Sequence, residues 1–277
     1  MLIDTHCHLH DREFFSAEQA EKMLVRAHEN GVKKIVCIGT SHEDSLAARD
    51  FALKHENVYW TYGIHPEYAS GAGVADASEL GVLRSAAARE LAPSARGDGP
   101  DGRDPELETS DRTHASKLVA IGEVGLDYHY EGYDKEAQIK LFCEMLDLAR
   151  QNNLPVVFHV REAFDDFFDI IKDYPEVRGV VHSFTDSKKV LKRILNETDY
   201  FVGVNGLATY STLPTPPLER IVLETDAPFL TPVPFRGIIN ECAYIRNIAE
   251  WLSEKLGEDF STIERETTKN AERLYRI

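Results

Sequence analysis

A chain of 277 residues, 43% hydrophobic and 28% charged, with a formal net charge of -16, can bury a sizeable core, and one large (β/α) barrel of about 250 residues is a natural fit. The acidic balance excludes a protein that coats nucleic acid over a broad basic surface, but not a nuclease whose cleft is made locally positive by cations. No run approaches the ~20 apolar residues of a membrane span and no secretory signal precedes the first strand; four scattered cysteines, Cys7, Cys37, Cys143 and Cys242, read as buried small hydrophobes in a reduced cytoplasm.

The chain opens with a short apolar strand that runs into His6-Cys7-His8. In a strand His6 and His8 project to one side and Cys7 to the other, so the two imidazoles can hold one ion between them. Ser16 and Glu18 then start a helix through Asn30, with Gly31 placed to stop it. A strand over 33–38 follows, and Ser41 with Asp44 three residues on predicts an N-cap for a helix reaching about Glu56. Val58 to Tyr62 reads as the third strand, and an Ala- and Leu-bearing stretch over 74–91 suits a helix. Residues 92–116 form a polar insertion, read as a surface loop that is either a tolerated insertion or a lid.

The alternation resumes with a strand over 118–121 leading to Glu123, then a helix over 134–152. Strands follow at 155–159, 179–182, 200–204 and 221–226, separated by helices over 163–174 and 187–195. Pro214, Pro216 and Pro217 make a full helix between strands seven and eight unfavourable, so a shortened crossover is expected there. Helices over 241–256 and 261–275 close the chain. The whole, residues 1–277, reads as a single α/β domain, a TIM-type (β/α)8 barrel.

In such a barrel the chemistry sits at the carboxyl ends of the strands. His6, His8, Glu123, His159, His182 and Asp226 all fall there, so imidazoles and carboxylates would converge on one mouth and could hold two divalent ions with one carboxylate between them. His28, His42, His55, His114 and His129 lie on predicted helices or loops and are read as surface residues. His10, one step beyond the pair, is left out of the ligand set.

His6-Cys7-His8, Gly63-Ile64-His65-Pro66, Gly122-Glu123-Val124-Gly125-Leu126-Asp127-Tyr128, Phe158-His159-Val160-Arg161, His182-Ser183-Phe184 and Glu224-Thr225-Asp226-Ala227-Pro228 together resemble the TatD family of metal-dependent deoxyribonucleases, within the wider amidohydrolase-like group. The resemblance spans nearly the whole chain apart from the insertion. It implies that His6, His8, Glu123 and Asp226 bind one metal and that Glu123, His159 and His182 bind the second, with Glu123 bridging. It implies hydrolysis of DNA phosphodiesters, often from a 3′ end of single-stranded DNA, and Mg²⁺-supported activity, although imidazole-rich coordination also suits Zn²⁺ or Mn²⁺. Asp226 is the candidate to receive the proton of the attacking water. His65, Arg161 and Arg236, in loops after strands, are candidates to hold the phosphate. Lys188, Lys189, Lys192 and Arg193 read as a solvated helix face, with a basic edge for DNA as the alternative.

Two departures from the family pattern stand out. Ile238, Ile239 and Cys242 stand where basic residues usually precede, and a proline follows, the Asn-Glu pair; Asp186 stands where glycine is common. These changes leave metal binding intact and weaken the case for long DNA, so an amidohydrolase-type enzyme acting on small esters, lactones or amides is the rival reading, and a non-catalytic barrel the third. Beyond transiently bound DNA no obligate partner is evident, no membrane contact is expected, and a monomer is the default.

Overall fold

The computed structural model describes residues 1–69 and 117–277. The expected helix over 74–91, the insertion over 92–116 and His114 lie outside the described residues. Eight strands pair in chain order, every neighbour parallel: β1 Leu2–Cys7, β2 Val32–Cys37, β3 Val58–Tyr62, β4 Leu118–Asp127, β5 Val156–Arg161, β6 Gly179–Val181, β7 Phe201–Val204 and β8 Ile221–Leu223. The circle closes where the chain after β8 meets β1, through an isolated parallel bridge between Cys7 and Ala227 and the bond from Thr5 Oγ1 to the Leu223 carbonyl at 2.9 Å. This is the expected TIM-type (β/α)8 barrel.

Among the described residues the helices are α1 Ala17–Glu29, α2 His42–Ala52, α3 Lys135–Gln151, α4 Phe164–Ile171, α5 Lys188–Glu197, α6 Ile245–Leu256 and α7 Phe260–Tyr275. Side-chain caps start several of them. Ser16 and Gln19 form a reciprocal capping box, and Ser41, Asp134 and Ser187 each accept from the backbone N–H three residues on, satisfying an N–H that the helix itself leaves unpaired. Between β7 and β8 the chain makes only short 3₁₀ turns, Gly206–Thr209 and Leu218–Arg220, as the prolines require. α2 stops at Ala52 rather than near Glu56, and α6 begins at Ile245, after a 3₁₀ turn over Cys242–Tyr244.

Alternate strand residues enter two different cores. Ile35 and Cys37, Val156 and Phe158, and Ile221 and Leu223 join the large cluster that includes the helices' apolar faces. Val36, Val157, Val180 and Val222, one residue out of phase, join a smaller cluster with Ala271, Leu274 and Tyr275 of α7. The period-two alternation of a strand separates the two. On β1, strict alternation would put Cys7 on the same face as Ile3, yet Ile3 belongs to the smaller cluster and Cys7 to the larger. A register shift between Asp4 and Cys7 reverses the phase, and it carries His6 to the lumen side.

β4 runs on to Asp127 instead of ending before Glu123. Two glycines permit this close approach to β5. A Cβ on Gly125 would lie 1.9 Å from the His159 carbonyl oxygen. Sequence periodicity does not see such a strand, because glycine contributes no side chain to the pattern.

Three cysteines are fully buried, as expected, and Cys143 is half-buried. Asp4, Cys7 and Cys242 lie close enough to suggest a ligand set, but the Asp4 carboxylate is already bound by Thr225 N and Thr225 Oγ1 at 2.9 and 2.6 Å. Its role is to fix the turn that carries Asp226. Among the described residues no helix is long and apolar enough to cross a membrane.

Candidate metal centre

The six strand-end residues meet in one cluster. His6 Nε2 lies 3.4 Å from Glu123 Oε2 and 3.4 Å from Asp226 Oδ1, and His8 Nε2 lies 3.5 Å from the same Asp226 oxygen. Glu123 Oε1 faces His159 Nδ1 at 2.7 Å and His182 Nε2 at 2.9 Å. The rings of His6 and His182 stack at 4.0 Å. Three overlapping trios bring ligand atoms within 4.8 Å of one another: His6, His8 and Asp226; His6, Glu123 and His182; and His65, Glu123 and His159.

Glu123 belongs to two trios and His6 to two, so neighbouring cations would share these side chains. His6 supplies the test of fit. Both of its ring nitrogens are buried without a hydrogen-bond partner, a condition native interiors avoid, and a cation on Nε2 would relieve it at that nitrogen. The imidazole and carboxylate donor set suits a divalent transition metal.

Hydrogen bonds behind the cluster fix the rings. His8 Nδ1 donates to the Ile38 carbonyl at 3.1 Å, leaving Nε2 to face inward. His159 Nε2 faces Asp127 Oδ2 at 3.0 Å, and Asp127 is itself held by Gln138, which bonds its backbone N–H and carbonyl. Glu224 accepts from Ser183 N at 2.6 Å and from Asn205 Nδ2 at 3.3 Å, stiffening the turn after His182. Asn240 donates to the carbonyls of Thr225 and Phe229. Orienting partners of this kind set the direction and basicity of ligating histidines.

Asp226 adopts φ 57° and Ser183 φ 44°, the left-handed region that costs a non-glycine residue about 1 kcal/mol or more. The Asp226 turn is held by the bond from its N–H to the His6 carbonyl at 2.8 Å.

Charge in the cluster is strongly coupled. Burial alone would raise the Glu123 carboxyl, but His182 and His159 override it and hold it well below its ordinary range. Burial opposes protonation of His8, yet the bond to Asp226 pushes its pKa up to about 9, and Glu123 likewise raises His182. The Asp226 carboxyl is lowered by His8 and His6 despite its burial.

The other expected contacts are distributed differently. His65 enters the cluster itself, its Nε2 3.8 Å from Glu123 Oε1 and its ring 4.3 Å from that of His159. Burial, with His159 beside it, lowers its pKa to about 3, so it is a neutral imidazole. Arg161 lies over the Tyr130 ring at 5.3 Å and Arg236 over Tyr210 at 3.9 Å. His10, omitted from the ligand set, is buried against Asp44, Nε2 to Oδ1 2.9 Å. His28 and His129 are exposed, as expected, while His42 and His55 are half-buried. On α5 the three lysines are exposed, and Arg193 is paired with Glu197 and Asp165.

Sequence reasoning did not single out Asp127, Glu224, Asn240 or Asp4. Asp127 and Glu224 stand inside the quoted Gly-Leu-Asp and Glu-Thr-Asp stretches, which was the available signal.

Comparison with known proteins bears on this centre. A model of the family described as TatD related DNase matches residues 3–276. The chain is 31% identical over 286 residues, covering both chains fully, to an uncharacterized metal-dependent hydrolase, YabD, of Bacillus subtilis (strain 168). It is 30% identical over 276 residues, covering 94% of this chain and 95% of the relative, to a protein of Erwinia tasmaniensis named 3'-5' ssDNA/RNA exonuclease TatD. Among solved structures, the TatD homologue YJJV of Escherichia coli k12 superposes with a TM-score of 0.80 at 27% identity, over 100% of this chain and 98% of that one.

Proposed function

The chain belongs to the TatD family of metal-dependent hydrolases, and on that premise we propose that it is a deoxyribonuclease that removes nucleotides from the 3′ end of single-stranded DNA with two divalent cations. The observation that carries this reading is the sharing of Glu123 and His6 between adjacent ligand trios, with the buried His6 nitrogens unpartnered. His6, His8, Glu123 and Asp226 would hold one cation, and Glu123, His159 and His182 the other, with Glu123 shared. Cations held there would lower the pKa of water and neutralise charge on the phosphate oxygens.

The residues divide the remaining work. Asp226, whose Oδ1 faces His6 and His8, takes the proton of the attacking water on Oδ2. Glu123, oriented by His159 and His182, fixes the spacing of the two positive centres. His65, neutral and beside Glu123, donates a hydrogen bond to a phosphate oxygen or completes a ligand set. Arg161 and Arg236, presented on tyrosine faces, attract the incoming phosphates. Mg²⁺ is the cation in use under this reading, with Mn²⁺ and Zn²⁺ also suited to the imidazoles. The protein works as a cytoplasmic monomer.

A second reading, hydrolysis of a small ester, lactone or amide at the same centre, is favoured by the exposed Ile238 and Ile239. Digestion of 3′- and 5′-labelled single-stranded oligonucleotides with Mg²⁺, Mn²⁺ or chelator tests the choice. Metal-dependent loss of the 3′ label, abolished in a His159→Ala, Asp226→Asn double variant, is the expected result. Hydrolysis of small esters with intact oligonucleotides would select the second reading.

A further inference from the structure

The mouth of the centre carries an apolar lip on its β8 side. Phe14, on the loop after β1, and Phe229, three residues beyond Asp226, are 42% and 46% exposed, in a fold where most large apolar side chains are buried. Their rings meet edge to face, centroids 5.2 Å apart at 81°. Phe229 also meets the His8 ring at 6.4 Å and 65°. Edge-on contacts of this sort do not cover both faces of a ring.

The lip is rigidly tied to the centre. Phe229 N donates to the Asp226 carbonyl at 2.8 Å, and the Phe229 carbonyl accepts from the buried Asn240 at 2.6 Å. Asn240 N in turn bonds the Pro228 carbonyl, and Thr231 Oγ1 the Ile238 carbonyl. Val233, Ile238 and Ile239 along this edge are exposed and apolar as well, with the exposed Arg236 between them. An exposed pair of aromatic rings beside ligating groups suits an apolar, flat occupant. The net charge of -16 further weakens any grip that depends on the phosphate backbone alone.

We propose that the Phe14–Phe229 pair is a binding subsite for an unpaired nucleobase, the base of a nucleotide flanking the bond to be cleaved. Every base has a π-face, so stacking on aromatic rings holds single strands with little regard to sequence and without a basic surface. A base inside a duplex has both faces covered by its neighbours and its edge engaged by its partner, so the subsite favours an unpaired base that can turn onto the rings. This inference rests on the nuclease reading above and adds to it the group that the enzyme grips.

The test compares wild type, Phe14→Ala, Phe229→Ala, the double variant and Phe229→Leu, each with Mn²⁺. Substrates are single-stranded oligonucleotides with all bases present, or with one abasic (tetrahydrofuran) nucleotide at the 3′-terminal or penultimate position. Wild type is expected to favour the base-bearing substrate roughly 5- to 150-fold in kcat/KM at one of those positions, the range of a base–aromatic stack. In the double variant that ratio should fall toward one. Phe229→Leu, which keeps bulk and loses the π-face, should lower the ratio too, and it serves if the alanine variants fold poorly. An unchanged ratio in every variant, or no preference in wild type, overturns the subsite while leaving the nuclease reading intact. Failure of metal-loaded wild type to cleave any oligonucleotide overturns the nuclease reading itself. Turnover of an apolar carboxylic ester that is lost in the double variant would assign the lip to an acyl group instead.

Discussion

His159 is held between two carboxylates: its Nδ1 lies 2.7 Å from Glu123 and its Nε2 3.0 Å from Asp127. One nitrogen faces the centre while the other is engaged behind it, the arrangement that fixes a ligating imidazole's tautomer and raises its basicity. Asp127→Asn should therefore weaken metal binding roughly 10- to 100-fold with little change in fold. Competition of the variant with a fluorescent chelator for Mn²⁺, alongside far-ultraviolet dichroism, measures both.

Protons and cations compete for the same nitrogens. The pKa of His8 is raised to about 9 and that of His182 lies above its ordinary value, so metal must displace protons at neutral pH. Apparent Mn²⁺ affinity should rise from pH 6.5 toward 9 and level off above it. Calorimetry in two buffers of different ionisation enthalpy reads the protons released. In the metal-free protein the sign reverses: the His8 contribution to stability is complete below its unfolded pKa of about 6.5. It is lost as pH rises through about 9, and the melting temperature of chelated protein should fall over that interval.

Asn240 is fully buried and donates to the carbonyls of Thr225 and Phe229. Asn240→Ala leaves both carbonyls without this donor, which is expected to cost about 2–6 kcal/mol in urea unfolding at ~1–3 kcal/mol per group. Because the turn between them carries Asp226, kcat should fall more than KM rises. Asn240→Asp keeps the size but not the donor, so it should behave like the alanine variant if donation is the point.

Gly125 allows β4 to lie against β5. With a Cβ placed 1.9 Å from the His159 carbonyl oxygen, Gly125→Ala must push the strands apart. A loss of about 3 kcal/mol is expected, together with weaker metal binding, because His159 moves with its backbone. A shifted urea midpoint and a lowered Mn²⁺ affinity in the same variant would show both effects.

Much of this was legible in the sequence. Apolar runs at regular intervals specify the eight strands, and strand ends are where His6, His8, Glu123, His159, His182 and Asp226 were found. What escaped depends on contacts between distant residues or on backbone geometry. The register shift in β1 reverses the face of His6 without altering its spacing from His8. Glycines hide the continuation of β4 to Asp127. His65 follows β3 and was read as a phosphate contact, yet it meets His159, ninety-four positions along the numbering, within the cluster. Asp127 and Glu224 look in sequence like ordinary acidic residues, and only the fold sets them beside His159 and Ser183.

The most direct measurement is the rate of 3′-label release from a single-stranded oligonucleotide as Mn²⁺ is added stepwise to metal-free protein, with bound metal counted at each step. Cleavage that appears only as the second equivalent binds, and is lost in Glu123→Gln, is the predicted result. Cleavage that is complete after one equivalent, or no cleavage at any loading, would contradict a nuclease built on two cations sharing Glu123.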